Sequence, residues 1–185
     1  MMAALFTGNL IKIMTAVLSL DASWQLADLV CLPPELSPWL AEPGSLTARL
    51  KAHSTEFRLQ LLQESKQVLP VFLQQCFTDK VESCIRREVI MWCNGQPAVY
   101  AQSWLPEQSI QQLEPLLALG EQPLGEILFQ FPDVVRSPIE IAELNVQAKN
   151  QWVGAGTYWA RRSIFSVAGH PLLVAEVFLP GVILL

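Results

Sequence analysis

A glutamate and an arginine stand where the surrounding pattern leaves no room for a bare charge. Residues 172–180, LLVAEVFLP, read as a β-strand. Leu172, Val174, Glu176 and Phe178 share one face of it, and Leu173, Ala175, Val177 and Leu179 share the other. Both faces are apolar, so Glu176 has no plainly solvated side to turn to. A buried carboxylate is costly unless it meets a cation, a hydrogen-bond donor or a ligand. In residues 85–93, IRREVIMWC, the same parity sets Arg87 with Ile85, Val89, Met91 and Cys93, toward the core. A guanidinium there needs an anion, and its fork of donors suits a carboxylate. The opposite face, with Arg86, Glu88, Ile90 and Trp92, reads as mixed and solvated. Two readings stay open. Arg87 and Glu176 pair with each other across the sheet, or they belong to a small apolar pocket that holds a ligand.

The other titratable residues carry less. Arg161 and Arg162 are neighbours in a strand, so only one points inward and at least one is expected at the surface. Glu140 reads as a surface residue, and His170 as an exposed turn residue with no nucleophile beside it. GxSxG, P-loop, GxGxxG and HExxH motifs are all missing, which leaves those chemistries without support. Cys31, Cys76, Cys84 and Cys93 have no CxxC spacing and there are only two histidines, so neither a metal site nor a disulfide framework is expected. Reduced thiols fit a cytoplasmic protein. A net charge of −5 disfavours nucleic acid as a partner and means that an anionic substrate needs locally placed cations.

These residues need strands to hold them. Asn94-Gly95 between residues 85–93 and 98–105 is a strong hairpin signal, and Ala168-Gly169-His170-Pro171 joins a second pair over 157–167 and 172–179. Further strands are expected over 56–64 and 137–145. Helices are expected over 45–53, with Ser45 as N-cap, over 106–117, ending near Gly120, and over 124–131, halted by Pro132. Residues 65–83 show no clear period. Locally joined strand pairs separated by short helices predict an α+β domain with a largely antiparallel sheet.

A chain of 185 residues, 51% hydrophobic and 16% charged, suits one domain with one sizeable core. Residues 1–44 read as a helical and proline-rich lead-in, and residues 45–185 as the domain proper. The apolar stretch 3–20 carries Asn9 and Lys12, which argues against a membrane span, and it lacks the basic start of a signal peptide. Met14 competes with Met1 as the first residue.

Several short motifs occur together: Arg87-Glu88-Val89, Asn94-Gly95-Gln96-Pro97, Pro123-Leu124-Gly125, Ile139-Glu140-Ile141, Arg161-Arg162-Ser163 and residues 173–180. With these in order, the chain resembles the chorismate lyase family, the chorismate pyruvate-lyases of ubiquinone biosynthesis. The likeness runs from about residue 45 to residue 180. It implies a six-stranded antiparallel sheet flanked by helices, a monomer needing neither cofactor nor metal, and conversion of chorismate to 4-hydroxybenzoate and pyruvate. It also implies that Arg87 binds the ring carboxylate and that Glu176 meets the hydroxyl end of the ring. Backbone N–H groups at Leu124 and, more loosely aligned, Leu46 would assist. Two departures stand out: Gln102 replaces an arginine usual in that pattern, and the loop 147–156 is long. The competing expectation is a non-catalytic domain of the same fold that binds small aromatic acids.

Overall fold

The computed structural model describes residues 16–113, 116, 119–147 and 151–185. Met1, Met14, most of the apolar stretch 3–20, part of the end of the helix expected over 106–117 and part of the loop 147–156 lie outside them. Among the described residues the strands are β1 (Gln25–Leu26), β2 (Phe57–Val68), β3 (Ser83–Cys93), β4 (Gln96–Pro106), β5 (Val135–Arg136), β6 (Glu140–Val146), β7 (Gly156–Val167) and β8 (His170–Phe178). They form one antiparallel sheet in the order β1-β6-β7-β8-β4-β3-β2, with β5 added against β7. Two of the eight are only two residues long, which leaves the six long strands expected of an α+β domain of this kind. The short helices are α1 (Ser37–Leu40), α2 (Leu46–Ala52), α3 (Val71–Gln74), α4 (Glu107–Gln112) and α5 (Leu124–Leu128).

Turn chemistry sets both central hairpins. Asn94 and Gly95 have φ of 50° and 75°, and Ala168 and Gly169 have 49° and 83°. Two left-handed residues in a two-residue loop match the right-handed twist of the flanking strands. Ser45 caps α2 as expected, its hydroxyl accepting the Ala48 N–H at 3.2 Å.

Several boundaries differ from expectation. Strand β2 continues to Val68, and α3 follows it, in a region that shows no apolar period. Burial does alternate there, but the inward residue is Gln67, so hydrophobicity alone hides the strand. Helix α4 stops at Gln112, and β6 begins at Glu140 rather than at 137.

Both faces of the sheet are covered. On one, α1, α2 and α5 bring Trp39, Leu40, Leu50 and Leu128 onto Val89, Met91, Phe165 and Leu172. On the other, Leu18, Leu20, Leu73 and Phe77 pack on Ile90, Tyr100, Leu173 and Val177. The Arg86–Glu88 face of β3 is therefore not solvated. Arg86 is 5% exposed and Glu88 is fully buried, because residues 17–20 seal that side.

Candidate active site

Antiparallel register lays the strands' residues in rows across the sheet. One row on the α2/α5 face reads Glu64, Arg87, Ser103, Val174, Ser163. The next, two residues along β3, reads Leu61, Val89, Ala101, Glu176, Arg161, Ile141. Each row carries one arginine directly opposite one glutamate. Strand β2 contributes Glu64 only because of a register irregularity between Leu61 and Gln63. Without that bulge, the period of Phe57, Leu59 and Leu61 would turn Glu64 to the other face.

Arg87 and Glu176 do not pair with each other. They lie two strands apart and two residues out of register, roughly 12 Å between Cα atoms at ordinary sheet spacings. Arg87 is buried and gives its Nη1 to Glu64 at 2.9 Å and to the Gly120 carbonyl at 2.8 Å, and its Nη2 to the Gln122 carbonyl at 3.0 Å. Among the described residues, that leaves Nε–H and one Nη2–H, the side-on pair that a carboxylate takes with two parallel bonds.

Glu176 is half-buried and accepts from Arg161 Nε at 2.5 Å. Arg161 is 1% exposed, and its Nη1 is fixed by the carbonyls of Trp39 at 3.0 Å, Leu40 at 3.4 Å and Glu42 at 2.8 Å. The two arginines thus do matching work. Arg87 ties down the loop that leads into α5, and Arg161 ties down the segment that leads into α2. Arg136 reinforces the second tie, donating to the Glu42 and Pro43 carbonyls and to Ser163 Oγ. Burial, and then repulsion from Arg161, push the Arg136 guanidinium down to about 10, with Glu176 and Glu42 pulling the other way. At Glu42 burial works against ionisation, but bonds from Arg49 and the Gly44 N–H and the charges of Arg49 and Arg161 outweigh it, so its pKa lies below the ordinary value.

Between the rows and the two helices is a cavity with some 560 Å³ free of protein atoms, its mouth included. Arg87, Arg161 and Glu176 line it, with an apolar wall of residues such as Val89, Met91 and Leu128. Leu46 and Leu124 line it too, each the first residue of its helix. The first N–H groups of a helix have no partner inside it and are open to an anion or a carbonyl oxygen. Lys51 of α2 and Glu126 of α5 pair at 2.6 Å across the two covers.

The structure thus brings all four predicted site residues, Arg87, Glu176, Leu124 and Leu46, onto one cavity. It corrects two other expectations. Arg161 and Arg162 are both buried, at 1% and 4% exposure, because both faces of β7 are covered. Arg162 faces away from the cavity, donates to the half-buried Glu140 at 2.7 Å and lies 4.5 Å from the Trp24 ring. His170 is half-buried as the first residue of β8, paired with Val167. Gln102 also turns to the far face, donating to the Leu18 carbonyl and the Tyr100 oxygen. Sequence reasoning left open which of Arg161 and Arg162 points inward to serve the substrate, and it is Arg161 that lines the cavity. The signal was available: pairing Val167 with His170 across a two-residue turn places Arg161, six back, opposite Glu176, six on.

The chorismate lyase family model matches residues 18–184. A protein of Pseudoalteromonas translucida (strain TAC 125) named "probable chorismate pyruvate-lyase" is 40% identical over 90% of this chain and 97% of its own. One of the same name from Aromatoleum aromaticum is 35% identical over 82% and 88%. Among solved structures, the effector domain of PhnF from Mycobacterium smegmatis superposes with a TM-score of 0.56 at 14% identity, covering 74% of this chain and 89% of that one. A GntR-family transcriptional regulator from Bacillus cereus gives 0.51 at 9% identity, over 68% and 93%. These two likenesses are of fold.

Proposed function

Because the chain belongs to the chorismate lyase family, we propose that it eliminates pyruvate from chorismate to leave 4-hydroxybenzoate, the opening step of ubiquinone biosynthesis. The observation that carries this reading is the pair of charges on one sheet face. Arg87 and Glu176 line the same cavity, each is neutralised by its own partner, and an apolar wall lies between them. The donors of Arg87 hold the ring carboxylate, helped by the Leu124 N–H, while the Leu46 N–H lies at the α2 side of the ring. Glu176 then faces the carbon that bears the ring hydroxyl.

Chemistry of this kind asks little beyond positioning. Glu176 takes the proton from C4, the C–H electrons become the third ring double bond, and the C3–O bond breaks with its pair on the ether oxygen. The departing pyruvate enolate takes a proton at its methylene carbon, which balances the one removed. Gain of aromaticity makes the step downhill, so holding a reactive pose and moving one proton are the protein's tasks. No cofactor enters this scheme. Among the described residues no helix is long and apolar enough to cross a membrane. The working form is a cytoplasmic monomer.

Incubating purified protein with chorismate and following both pyruvate and 4-hydroxybenzoate tests the assignment. Equal release of the two is the expected result. Binding of 4-hydroxybenzoate without any turnover would overturn it and leave the chain as a non-catalytic aromatic-acid binder.

A further inference from the structure

Chorismate carries two carboxylates, and the site as described uses Arg87 for one of them. We propose that Arg161 is the subsite for the other, the carboxylate on the enolpyruvyl ether, and that the adjacent Arg162 has no part in it. This rests on the chorismate reading above and extends it to the leaving half of the substrate.

Three observations carry it. First, register: Arg161 stands directly across from Glu176 and lines the cavity, at the end where the ether bond breaks. Arg162 points to the opposite face and is occupied by Glu140. Second, donors: the Nε of Arg161 goes to Glu176 and its Nη1 to three backbone carbonyls, while its Nη2 donates to none of the described residues. A guanidinium held on two sides with its third nitrogen unspent is preorganised for one more acceptor.

Third, charge. The guanidiniums of Arg49, Arg136 and Arg161 gather here against the carboxylates of Glu42 and Glu176. Arg49 pairs with Glu42 at 2.7 Å and Arg161 with Glu176, and the bonds of Arg136 go to carbonyls and a hydroxyl. The cluster is one positive charge in excess, and a second substrate carboxylate neutralises it. The enolpyruvyl group presents its carboxylate beside its ether oxygen, so the same guanidinium also meets the negative charge that develops on that oxygen as the bond breaks. Arg161 thereby serves both the hold on the leaving group and the orientation of Glu176.

The test uses a probe that cannot react: 3-(1-carboxyvinyloxy)benzoate, with both carboxylates on an aromatic ring, compared by calorimetry with 3-hydroxybenzoate, which has one. Wild type should bind the dianion more tightly than the monoacid. Arg161→Gln should weaken the dianion on the order of a hundredfold and the monoacid less than about threefold, the difference expected of one charge-assisted contact. Arg161→Lys should restore part of the preference, and Arg162→Gln should leave it intact. Should Arg161→Gln fail to fold, Arg161→Lys decides alone, since a preference identical to wild type in kcal/mol and in salt dependence removes the fork from the interaction. Equal weakening of both probes, or no dianion preference in wild type, overturns the proposal. Failure of the chorismate assay with the dianion preference present would sink the lyase reading and leave the subsite standing.

Discussion

The two faces of this sheet carry the same currency of charges and spend it differently. The cavity face holds Arg87 with Glu64 and Arg161 with Glu176. The far face holds Arg86 with Glu88 at 2.8 Å and Arg162 with Glu140. Adjacent residues in two strands, Arg86/Arg87 and Arg161/Arg162, divide evenly between the faces because side chains alternate. What separates a site from a structural network is the cover. Residues 17–20 close over the far face so tightly that the Val17 N–H reaches Glu88 at 3.0 Å and the Leu18 carbonyl reaches Gln102 at 3.1 Å. Helices α2 and α5 stand off the near face, and both arginines there use part of their donors to hold the segments leading into them. The near-face pair of arginines has a cavity in front of it, lined by Arg87 and Arg161, and neither Arg86 nor Arg162 lines that cavity.

The sharpest way to break this comparison is to exchange the roles of its two glutamates. Glu176→Gln keeps the shape and removes the proton acceptor, so pyruvate release should fall by about 10²–10⁴, the usual worth of a general base. Its 4-hydroxybenzoate affinity should change far less. Glu88→Gln should leave turnover per folded molecule unchanged. Near-normal turnover in the first variant would remove Glu176 from the chemistry, and a large loss in the second would show that the far face is coupled to the site.

The two neighbouring arginines sharpen it further. Arg87→Ala should weaken 4-hydroxybenzoate binding by roughly 2–5 kcal/mol, the range for losing one member of a buried charge contact, as read by calorimetry. Arg86→Ala should leave that affinity alone and instead cost about 3–5 kcal/mol of unfolding free energy, since Glu88 stays buried without its cation. A variant pair that changed the same quantity by the same amount would erase the distinction between the faces.

Much of this was legible in the sequence, and the missing part has a physical reason. Parity in residues 172–179 and 85–93 put Glu176 and Arg87 on the sheet face where the structure has them, and the Asn-Gly and Ala-Gly turns marked the two central hairpins. The partners of those charges were not legible. Glu64 reaches Arg87 only through a bulge that reverses parity in mid-strand. Burial of Arg86, Glu88, Arg161 and Arg162 depends on segments such as residues 17–20 and 39–42, which are too short to show a periodic signal. Alternation assigns a side chain to a face, but only tertiary packing says whether that face is wet.

The smallest expected effect is a difference in how acid stability runs on the two faces. Burial raises the pKa of Glu88 above its ordinary 4.5, with the Val17 N–H and Arg86 acting against it. The folded state therefore holds the Glu88 proton more tightly than the unfolded chain does, and the stability this contributes is present at low pH and is lost as pH rises through the folded value. Glu42 behaves in the opposite sense. Its lowered value contributes stability above the unfolded pKa that is lost as pH falls through the folded one. Denaturant unfolding of wild type, Glu88→Gln and Glu42→Gln between about pH 3 and pH 7 separates the two windows. The stability difference between wild type and Glu88→Gln should shrink or turn negative as pH rises, and that between wild type and Glu42→Gln should shrink as pH falls. Parallel slopes for the two variants would mean that Glu88, buried on the far face, is as well served by its partners as Glu42 is by Arg49 and the Gly44 N–H.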